Sequence, residues 1–427
     1  MRDLKAKSKR FLVVALALVM GNTIKAQSST NLNEVRPDQI NTITTAVPFL
    51  LITPDSRAGG MGDVGCATSA DINSIHWNPS KLAFADKKIG IGVSYTPWLR
   101  ALVPDINLAY LSGYYKTKKR GAIGASLRYF SLGDITFTDN NGNTIGQFRP
   151  NEFAIDIAYA TQLGKHLSAG GAIRFINSNL TGGQAVEGSA THAGRSIAVD
   201  ISMLYRKDKM KLGDKKAVGT IGLNISNIGS KMSYSDRGGK DDADFIPINL
   251  RLGGGLTVQI DDYNSIGIFA DINKLLVPTP PVYEHLVDSN GVDQGIKYDA
   301  DNKPVILAGK DPNRGVAEGI FGSFNDAPNG SKEELKEINY SLGMEYWYNK
   351  LFAVRVGYFY ENPPKGNRQF FTLGAGVKYN VFGLDFAYLI PTQQKNPLEN
   401  TLRFTLLFDF DAFKSQNKTA EPAQTPQ

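Results

Sequence analysis

Apolar and polar residues alternate in segments of roughly ten residues from about Lys88 to the end of the chain. In NEFAIDIAYA, Phe153 and Ile155 fall on one side of an extended chain, whereas Ala154 and Asp156 fall on the other. A period of two residues predicts β-strands. An even number of strands is what a closed antiparallel barrel requires when both its ends lie on one side of a membrane. Fourteen segments show the pattern, near 88–95, 106–115, 119–130, 151–162, 166–178, 195–206, 216–227, 246–260, 264–275, 337–349, 351–361, 368–379, 381–390 and 400–410.

The two faces of these segments favour a membrane barrel over a soluble sandwich. The apolar face often ends in aromatic residues such as Tyr159, Tyr205 and Phe408, which suits the interfacial girdles of a membrane barrel. The opposite face carries charges among many Gly and Ala residues. These charges would cost several kcal/mol each against lipid, whereas in a lumen they can pair or meet water. The predicted lumen-lining charges are Asp156, Arg174, Asp200, Arg251, Asp271, Glu345, Arg355, Lys378, Asp385 and Arg403.

Connection lengths give the predicted barrel an orientation. Connections at one end, such as LGKH and DDY, are nearly all short, whereas those at the other end include 131–150, 228–245 and 276–336. Short periplasmic turns and long external loops are typical of outer-membrane barrels. The sequence therefore predicts an all-β fold, a transmembrane antiparallel β-barrel of about 14 strands with both termini in the periplasm. The predicted regions are a signal peptide (1–26), a periplasmic or plug region that we call the hatch segment (27–87), the barrel (88–411, with the long extracellular loop 276–336) and a C-terminal tail (412–427).

The first 26 residues change what the composition indicates. The basic start MRDLKAKSKR precedes the apolar run FLVVALALVM and a cleavage point near Ala26, which is the pattern of a secretory signal. This stretch holds six of the 47 Lys and Arg residues and one of the 41 Asp and Glu residues, so without it the net charge falls from +6 to about +1. We therefore expect no nucleic-acid partner. The single cysteine, Cys66, excludes an intrachain disulfide.

The hatch segment contains a glycine motif that also occurs in nucleotide-binding loops. Gly60, Gly62 and Gly65 spell G-x-G-x-x-G. A dinucleotide fingerprint requires a preceding strand, a following helix and a parallel second strand, and the sequence shows no such βαβ pattern. Glycines also permit positive φ angles and close approach of chains. We therefore expect these glycines to let the segment fold tightly inside a crowded lumen.

The sequence gives little support for metal binding or catalysis. The four histidines show no metal-ligand spacing. DNNGN (139–143) and KDDAD (240–244) resemble calcium-binding stretches, but a hairpin turn and a solvated loop account for them better. No nucleophile motif such as G-x-S-x-G occurs. We expect no metal, no cofactor and no enzymatic activity.

The long loop 276–336 is the strongest candidate for contact with a partner. It ends with Phe321 and Phe324 beside a predicted turn and a short helix that starts at Ser331. Exposed aromatic residues anchor partners at interfaces, and they also pack loops on themselves. Both interpretations stay open for these two phenylalanines. Loops 131–150 and 228–245 are further candidates.

The stretch VPFLLITPDSRAGGMGDVGCATSADINSIHWNPSKLAF (47–84) resembles the N-terminal hatch of the FadL-like outer-membrane barrels, and more closely that of the PorV family of the Bacteroidota type IX secretion system. GIFGSFNDAP at 319–328 resembles the same family. Two features depart from FadL-like barrels: Asn78–Ser80 is NPS rather than NPA, and a tail follows Phe410. The resemblance implies a fourteen-stranded barrel with an N-terminal plug (hatch). The residues expected to form this plug are Arg57, Gly59, Gly60, Gly62, Asp63, Gly65, Asp71, Asn73, Trp77, Asn78 and Pro79.

Some plug residues have expected roles. Arg57, Asp63, Asp71 and Asn73 should make polar contacts with the charged barrel lining. The stretch Trp77–Pro79 should turn the chain toward the first strand.

The resemblance implies a function that composition and periodicity do not. PorV-like proteins receive secreted cargo by its C-terminal β-sandwich signal domain at an SprA-type translocon. They then carry the cargo to a PorU-type sortase complex, which removes the signal and attaches the cargo to lipopolysaccharide. The implied partners are thus cargo signal domains, the translocon, the sortase complex, and outer-membrane lipid and lipopolysaccharide.

Two other functions fit a barrel of this kind. A FadL-type transporter of hydrophobic small molecules would need an apolar pocket between plug and barrel wall. A general diffusion porin would need an open lumen without a plug.

Overall fold

Two compact units make up the chain in the computed structural model. The first comprises Pro37–Val282 and Ala308–Gln427, and the second includes Tyr283–Leu307. The predicted signal peptide and C-terminal tail lie outside the described residues. The structure describes Val35 and residues 39–410, apart from 101–102, 104, 118–119, 139–140, 185–189, 236–242, 290–291 and 394–395.

The first unit contains a closed antiparallel barrel of fourteen strands, as predicted. Each barrel strand pairs with the next along the chain, and the last pairs with the first. Each of the fourteen predicted segments overlaps one barrel strand. With the short strands of the connections, the strands are β1 (Ile89–Pro97), β2 (Ile106–Lys116), β3 (Gly121–Leu132), β4 (Ile135–Thr138), β5 (Thr144–Phe148), β6 (Asn151–Gln162), β7 (Leu167–Asn179), β8 (Gly194–Leu212), β9 (Lys215–Gly229), β10 (Asn249–Gln259), β11 (Asn264–Leu275), β12 (Val282–Tyr283), β13 (His285–Val287), β14 (Asp293–Ile296), β15 (Ile306–Ala308), β16 (Asn339–Tyr348), β17 (Phe352–Tyr360), β18 (Gln369–Tyr379), β19 (Phe382–Pro391) and β20 (Leu402–Asp409). The barrel omits β4, β5 and β12 to β15.

The alternation in the sequence matches an alternation of exposure along the strands. In β6, Ile155, Ile157 and Tyr159 are exposed, whereas Ala154 and Asp156 are buried. The barrel therefore presents apolar side chains outward and encloses its polar side chains, which is the arrangement of a barrel that meets lipid.

The hairpin between β8 and β9 is longer than the sequence predicts. The stretch 206–216 is expected to be a connection, but β8 continues to Leu212 and β9 begins at Lys215. Gly213, with φ at +58°, forms the turn. Strand pairing uses backbone groups and needs no apolar side chain, so a charged strand has no clear signal in hydrophobic periodicity.

The described part of the hatch segment runs through the barrel interior. Barrel glycines leave room for it on several sides of the wall. A Cβ at Gly357 would lie 2.0 Å from the carbonyl carbon of Met61, and one at Gly170 would lie 2.6 Å from the nitrogen of Ser80. The described part of the segment contains four short helices, namely the 3-10 helix Pro48–Leu51, the α-helices Ser56–Gly59 and Ser74–Trp77, and the 3-10 helix Pro79–Phe84.

The hatch segment enters the barrel at the end that carries the long connections. The backbone N–H of Asn41 donates to the carbonyl oxygen of Pro364 (2.9 Å), and its side-chain amide donates to Glu333 Oε1 (2.9 Å). At the opposite end, Gln162 Nε2 donates to the Ala83 oxygen (2.9 Å), shortly before β1 begins. The sequence predicts a periplasmic or plug region that precedes β1 on the periplasmic side, whereas the described start of the segment lies at the long-loop end. Periodicity locates the junction with β1 but not the direction of the preceding chain.

The long loop 276–336 contains regular structure. The predicted helix at Ser331 is confirmed as Ser331–Lys336, and a second helix spans Val316–Gly322. A further 3-10 helix, Pro363–Lys365, follows β17. In the second unit, β13 and β14 pair antiparallel. No helix among the described residues is long and apolar enough to cross a membrane.

We predict that Gly62→Val will loosen the hatch segment or lower the yield of folded barrel. Gly62 has φ at +68°, and a Cβ there would lie 2.6 Å from the backbone of Tyr358. A non-glycine residue in such a conformation costs about 1–3 kcal/mol before any clash is counted. The folded fraction can be measured by heat-modifiable gel mobility, and the seal by conductance in planar bilayers. Gly254→Val is the matched control, because a Cβ at Gly254 meets no atom within 4 Å. Equal folded yield and conductance for both variants would contradict this packing role.

Candidate functional site

A chain of buried charges joins the hatch segment to the barrel wall. Arg57 donates to both carboxylate oxygens of Glu345, at 3.0 Å from Nε and 2.8 Å from Nη2. Glu345 also accepts from Arg355 Nε (2.7 Å), and Arg355 Nη1 donates to Asp385 Oδ1 (2.7 Å). Arg57 Nη1 completes the chain with a 2.8 Å bond to Asp71. Bidentate arginine–carboxylate pairs of this kind fix geometry as well as charge.

Local structure explains why these charges meet. Glu345 and Arg355 are directly opposite in the register of β16 and β17. Arg57 lies in a helix whose N-cap is Asp55, which accepts from the Ala58 N–H (2.9 Å) and from Trp77 Nε1 (2.7 Å). Burial raises the pKa of Asp55 to about 6, and the negative charge of Asp71 adds to the increase.

Two more predicted lumen charges hold the hatch segment. Asp271 Oδ2 accepts from the backbone N–H groups of Gly65 (2.8 Å) and Cys66 (2.9 Å). Arg403 Nη1 donates to Asp63 Oδ1 (3.1 Å). Wall side chains thus satisfy backbone and side-chain groups that a buried segment would otherwise leave unpaired.

A second buried cluster lies within the wall itself. Asp156 and Arg174 are opposite in the register of β6 and β7, and their atoms Oδ1 and Nε are 2.5 Å apart. Arg174 Nη2 also donates to Asp200 Oδ2 (3.1 Å). Lys378 differs from the other predicted lumen charges because it is exposed near the end of β18, with Nζ 5.0 Å from the Trp347 ring centre.

The remaining plug residues differ in what they contact. Asn73 Oδ1 accepts from Ser112 of the wall (3.1 Å), whereas Asp71 pairs with Arg57 inside the segment. Trp77 lies against Arg251, whose Cζ is 4.6 Å from the ring centre.

The other residues expected in the plug either pack closely against their neighbours or form the turn at the end of the hatch segment. A Cβ at Gly59 would meet Arg403, one at Gly60 would meet Gly374, and one at Gly65 would meet the Trp77 ring. Asn78 donates to the Met203 oxygen (3.1 Å), and Pro79 begins the 3-10 helix that ends the hatch segment's described helices.

Sequence reasoning missed Arg128, Lys81 and His76. Arg128 donates to the Leu50 oxygen (2.7 Å) and to His76 Nδ1 (2.5 Å). Burial, together with the positive charge of Arg128, lowers the pKa of His76 well below its usual value. Lys81 Nζ donates to the Gly65 oxygen (2.9 Å). Arg128 could have been found, because it continues the inward-facing alternation of β3 after Ser126.

A cavity of about 430 Å³ lies at the long-loop end, between the hatch segment and the wall. Its apolar lining includes Leu51, Ile52, Trp98, Phe370, Leu389 and Leu398. Three lining cations each pair with a lining carboxylate. The pairs are Arg403–Asp63 (3.1 Å), Arg368–Glu361 (2.8 Å) and Lys365–Glu337 (2.9 Å).

The two loop phenylalanines have different surroundings. Phe321 is 78% exposed and Phe324 is 51% exposed. Lys274 Nζ lies 5.8 Å from the Phe324 ring centre, and the same ammonium donates to Glu334 (3.0 Å) and Glu337 (2.6 Å). Phe324 thus packs partly on the barrel, whereas Phe321 presents most of its ring to the outside.

A comparison with known protein families finds the same family that the hatch sequence resembles. The family described as type IX secretion system protein PorV matches residues 35–282, which is more than half of the chain. No curated protein matches the sequence.

Solved structures similar to this chain include a toluene transporter and a FadL homologue. The toluene transporter TodX from Pseudomonas putida is 13% identical, with a TM-score of 0.43, over 86% of this chain and 98% of that chain. A FadL homologue from Pseudomonas aeruginosa is 13% identical, with a TM-score of 0.42, over 87% of this chain and 99% of that chain.

We predict that Glu345→Gln will lower the free energy of unfolding by about 1–3 kcal/mol, because the amide nitrogen of Gln cannot accept the arginine N–H bonds that a carboxylate oxygen accepts, and buried donors are left unpaired. Urea unfolding followed by gel mobility would measure the change. Asp134→Asn is the control: it breaks the Arg149–Asp134 pair, which is also bidentate but largely exposed, and should leave unfolding unchanged. Equal effects of the two substitutions would contradict a special role for the buried network.

Proposed function

Because the chain belongs to the PorV family of type IX secretion system proteins, we propose that it is a shuttle in the outer membrane. In this proposal it binds the C-terminal signal domain of secreted cargo at an SprA-type translocon. It then delivers the cargo to a PorU-type sortase complex, which attaches it to lipopolysaccharide. Its own role is binding and transfer, without catalysis.

The arrangement of the barrel supports this proposal. A closed barrel has no free sheet edge, so its wall can move through lipid without pairing to other strands. The long connections gather at one end, where loops on a rigid scaffold can present a binding face. Phe321 supplies an exposed aromatic ring at this face, which is the residue type that anchors interfaces.

A second candidate, a FadL-type transporter of hydrophobic molecules, is favoured by the cavity at the long-loop end. Its volume of about 430 Å³ is within the usual range for ligand pockets. The pairing of the cavity's cations with carboxylates favours the shuttle over the transporter. Arg403, Arg368 and Lys365 each already bind a carboxylate, so a fatty acid head group would have to displace one.

Purification from outer-membrane extract separates the two candidates. Co-purification of cargo signal domains, identified by mass spectrometry, would support the shuttle. Fatty acid bound in the cavity, with no signal domain present, would support the transporter.

We predict that Phe321→Ser will weaken binding of a purified signal domain by roughly tenfold, because truncating an exposed aromatic anchor typically removes more than 1 kcal/mol. Binding can be measured by surface plasmon resonance with the detergent-solubilised barrel. Leu163→Ser is the matched control, because Leu163 is 59% exposed in a short turn at the opposite end. Signal-domain binding that survives deletion of 276–336 would place the binding face elsewhere.

We also predict that Ile40→Cys will react with a membrane-impermeant maleimide in intact cells. Ile40 is 79% exposed and lies beside Asn41, which is bonded to the long-loop end of the barrel. Long loops of outer-membrane barrels are extracellular, so we expect this end to face outside the cell. Cys66 gives little background because it is fully buried, and burial raises the pKa of its thiol. Leu163→Cys should react only after the outer membrane is permeabilised. The reverse pattern would show that the long loops face the periplasm.

A further inference from the structure

Residues 41–45, which we call the mouth strap, have an unusual backbone. The strap is anchored at both ends, by the Asn41 N–H to the Pro364 oxygen and by the Ala46 N–H to the Phe245 oxygen (both 2.9 Å). Between these anchors, no backbone group of 42–45 has a hydrogen-bond partner within the part of the chain that the structure describes. Unpaired backbone groups require water or another chain.

The strap alternates in exposure as a strand does. It contains no turn or helical residue, and exposure alternates along it, with Thr42 and Thr44 exposed and Ile43 and Thr45 partly buried. A period of two residues is that of an extended chain. An extended chain with free N–H and C=O groups is a template for pairing with a second strand.

The strap also borders the cavity at the long-loop end. Residues 42–45 line one part of it, and Leu51, Phe370, Leu389 and Leu398 line others. Arg403, Arg368 and Lys365 line the cavity, and each of them is already paired with a carboxylate. Such a site suits a neutral backbone with aliphatic side chains better than an ionised small molecule.

We propose that the mouth strap recognises an extended segment of the cargo signal domain by backbone pairing, while alternate aliphatic side chains of that segment enter the cavity. This inference rests on the proposed shuttle function and adds the mode of recognition. Strand addition lets backbone hydrogen bonds provide affinity that is independent of the cargo's side chains, so one site can receive many cargo proteins.

The test is a proline scan of the strap, with binding of a purified signal domain as the readout. Proline removes one backbone N–H while keeping a φ that strand edges accept. On a strand, N–H groups of alternate residues point to the same edge. Thr42 and Thr44 therefore share one edge, and Thr45 lies on the other. We expect proline to weaken binding by roughly tenfold only on the edge that pairs with the cargo, which is either at both Thr42 and Thr44 or at Thr45 alone. Alanine at the same positions keeps the N–H and should bind like the wild type.

Two further results make the outcome decisive. Folding of each variant can be checked by gel mobility, and none of the three prolines removes an internal hydrogen bond of the described chain. Hydrogen exchange at residues 42–45 should be fast in the free barrel and slow in the complex. Wild-type binding that no proline weakens, or that all three weaken equally, would overturn strand pairing but leave the shuttle intact. Absence of wild-type binding to the signal domain would overturn both proposals.

Discussion

The pairing of enclosed charges is the constraint on which the rest of this structure depends. A wall that faces lipid must turn its polar side chains inward, and an enclosed charge is costly unless it finds a partner. Glu345 meets this requirement through Arg355 of the wall and Arg57 of the hatch segment. Wall and hatch are therefore one electrostatic unit, and neither has its charges satisfied without the other.

Close packing makes this electrostatic unit possible. Hydrogen bonds of about 3 Å between wall and hatch require the two backbones to approach closely. Glycines on both sides permit it: Gly60 and Gly374 face each other, and Gly357 lies against Met61. The G-x-G-x-x-G stretch thus serves contact between chains, since Gly62 also adopts a positive φ beside Tyr358. The same residue types would suit a phosphate loop, and only the surrounding strands distinguish the two.

Sequence alone predicted the parts of this fold that have a strong period. The fourteen strands followed from alternation, and so did the expected inward positions of the charges. The side chains of Asp156, Arg174 and Glu345 are buried. The path of the hatch segment could not be predicted, because it has no period and its position is set by contacts with strands distant in sequence. Lys365 was missed because it lies outside the alternating segments, and Arg368 was missed because it stands at the first position of one.

The distribution of pairing along the lumen bears on how the protein works. Around Arg57 and Asp271, wall and hatch are joined by buried hydrogen bonds, and moving the hatch would break several of them together. Each uncompensated buried charge would cost about 3–5 kcal/mol, so passage of a solute past the hatch carries a large penalty. Residues 42–45 of the mouth strap have no backbone hydrogen-bond partner within the described chain, so a partner can bind there without breaking an internal hydrogen bond of that part. Recognition at the mouth over a fixed hatch suits transfer of a protein along the membrane surface better than transport through the barrel.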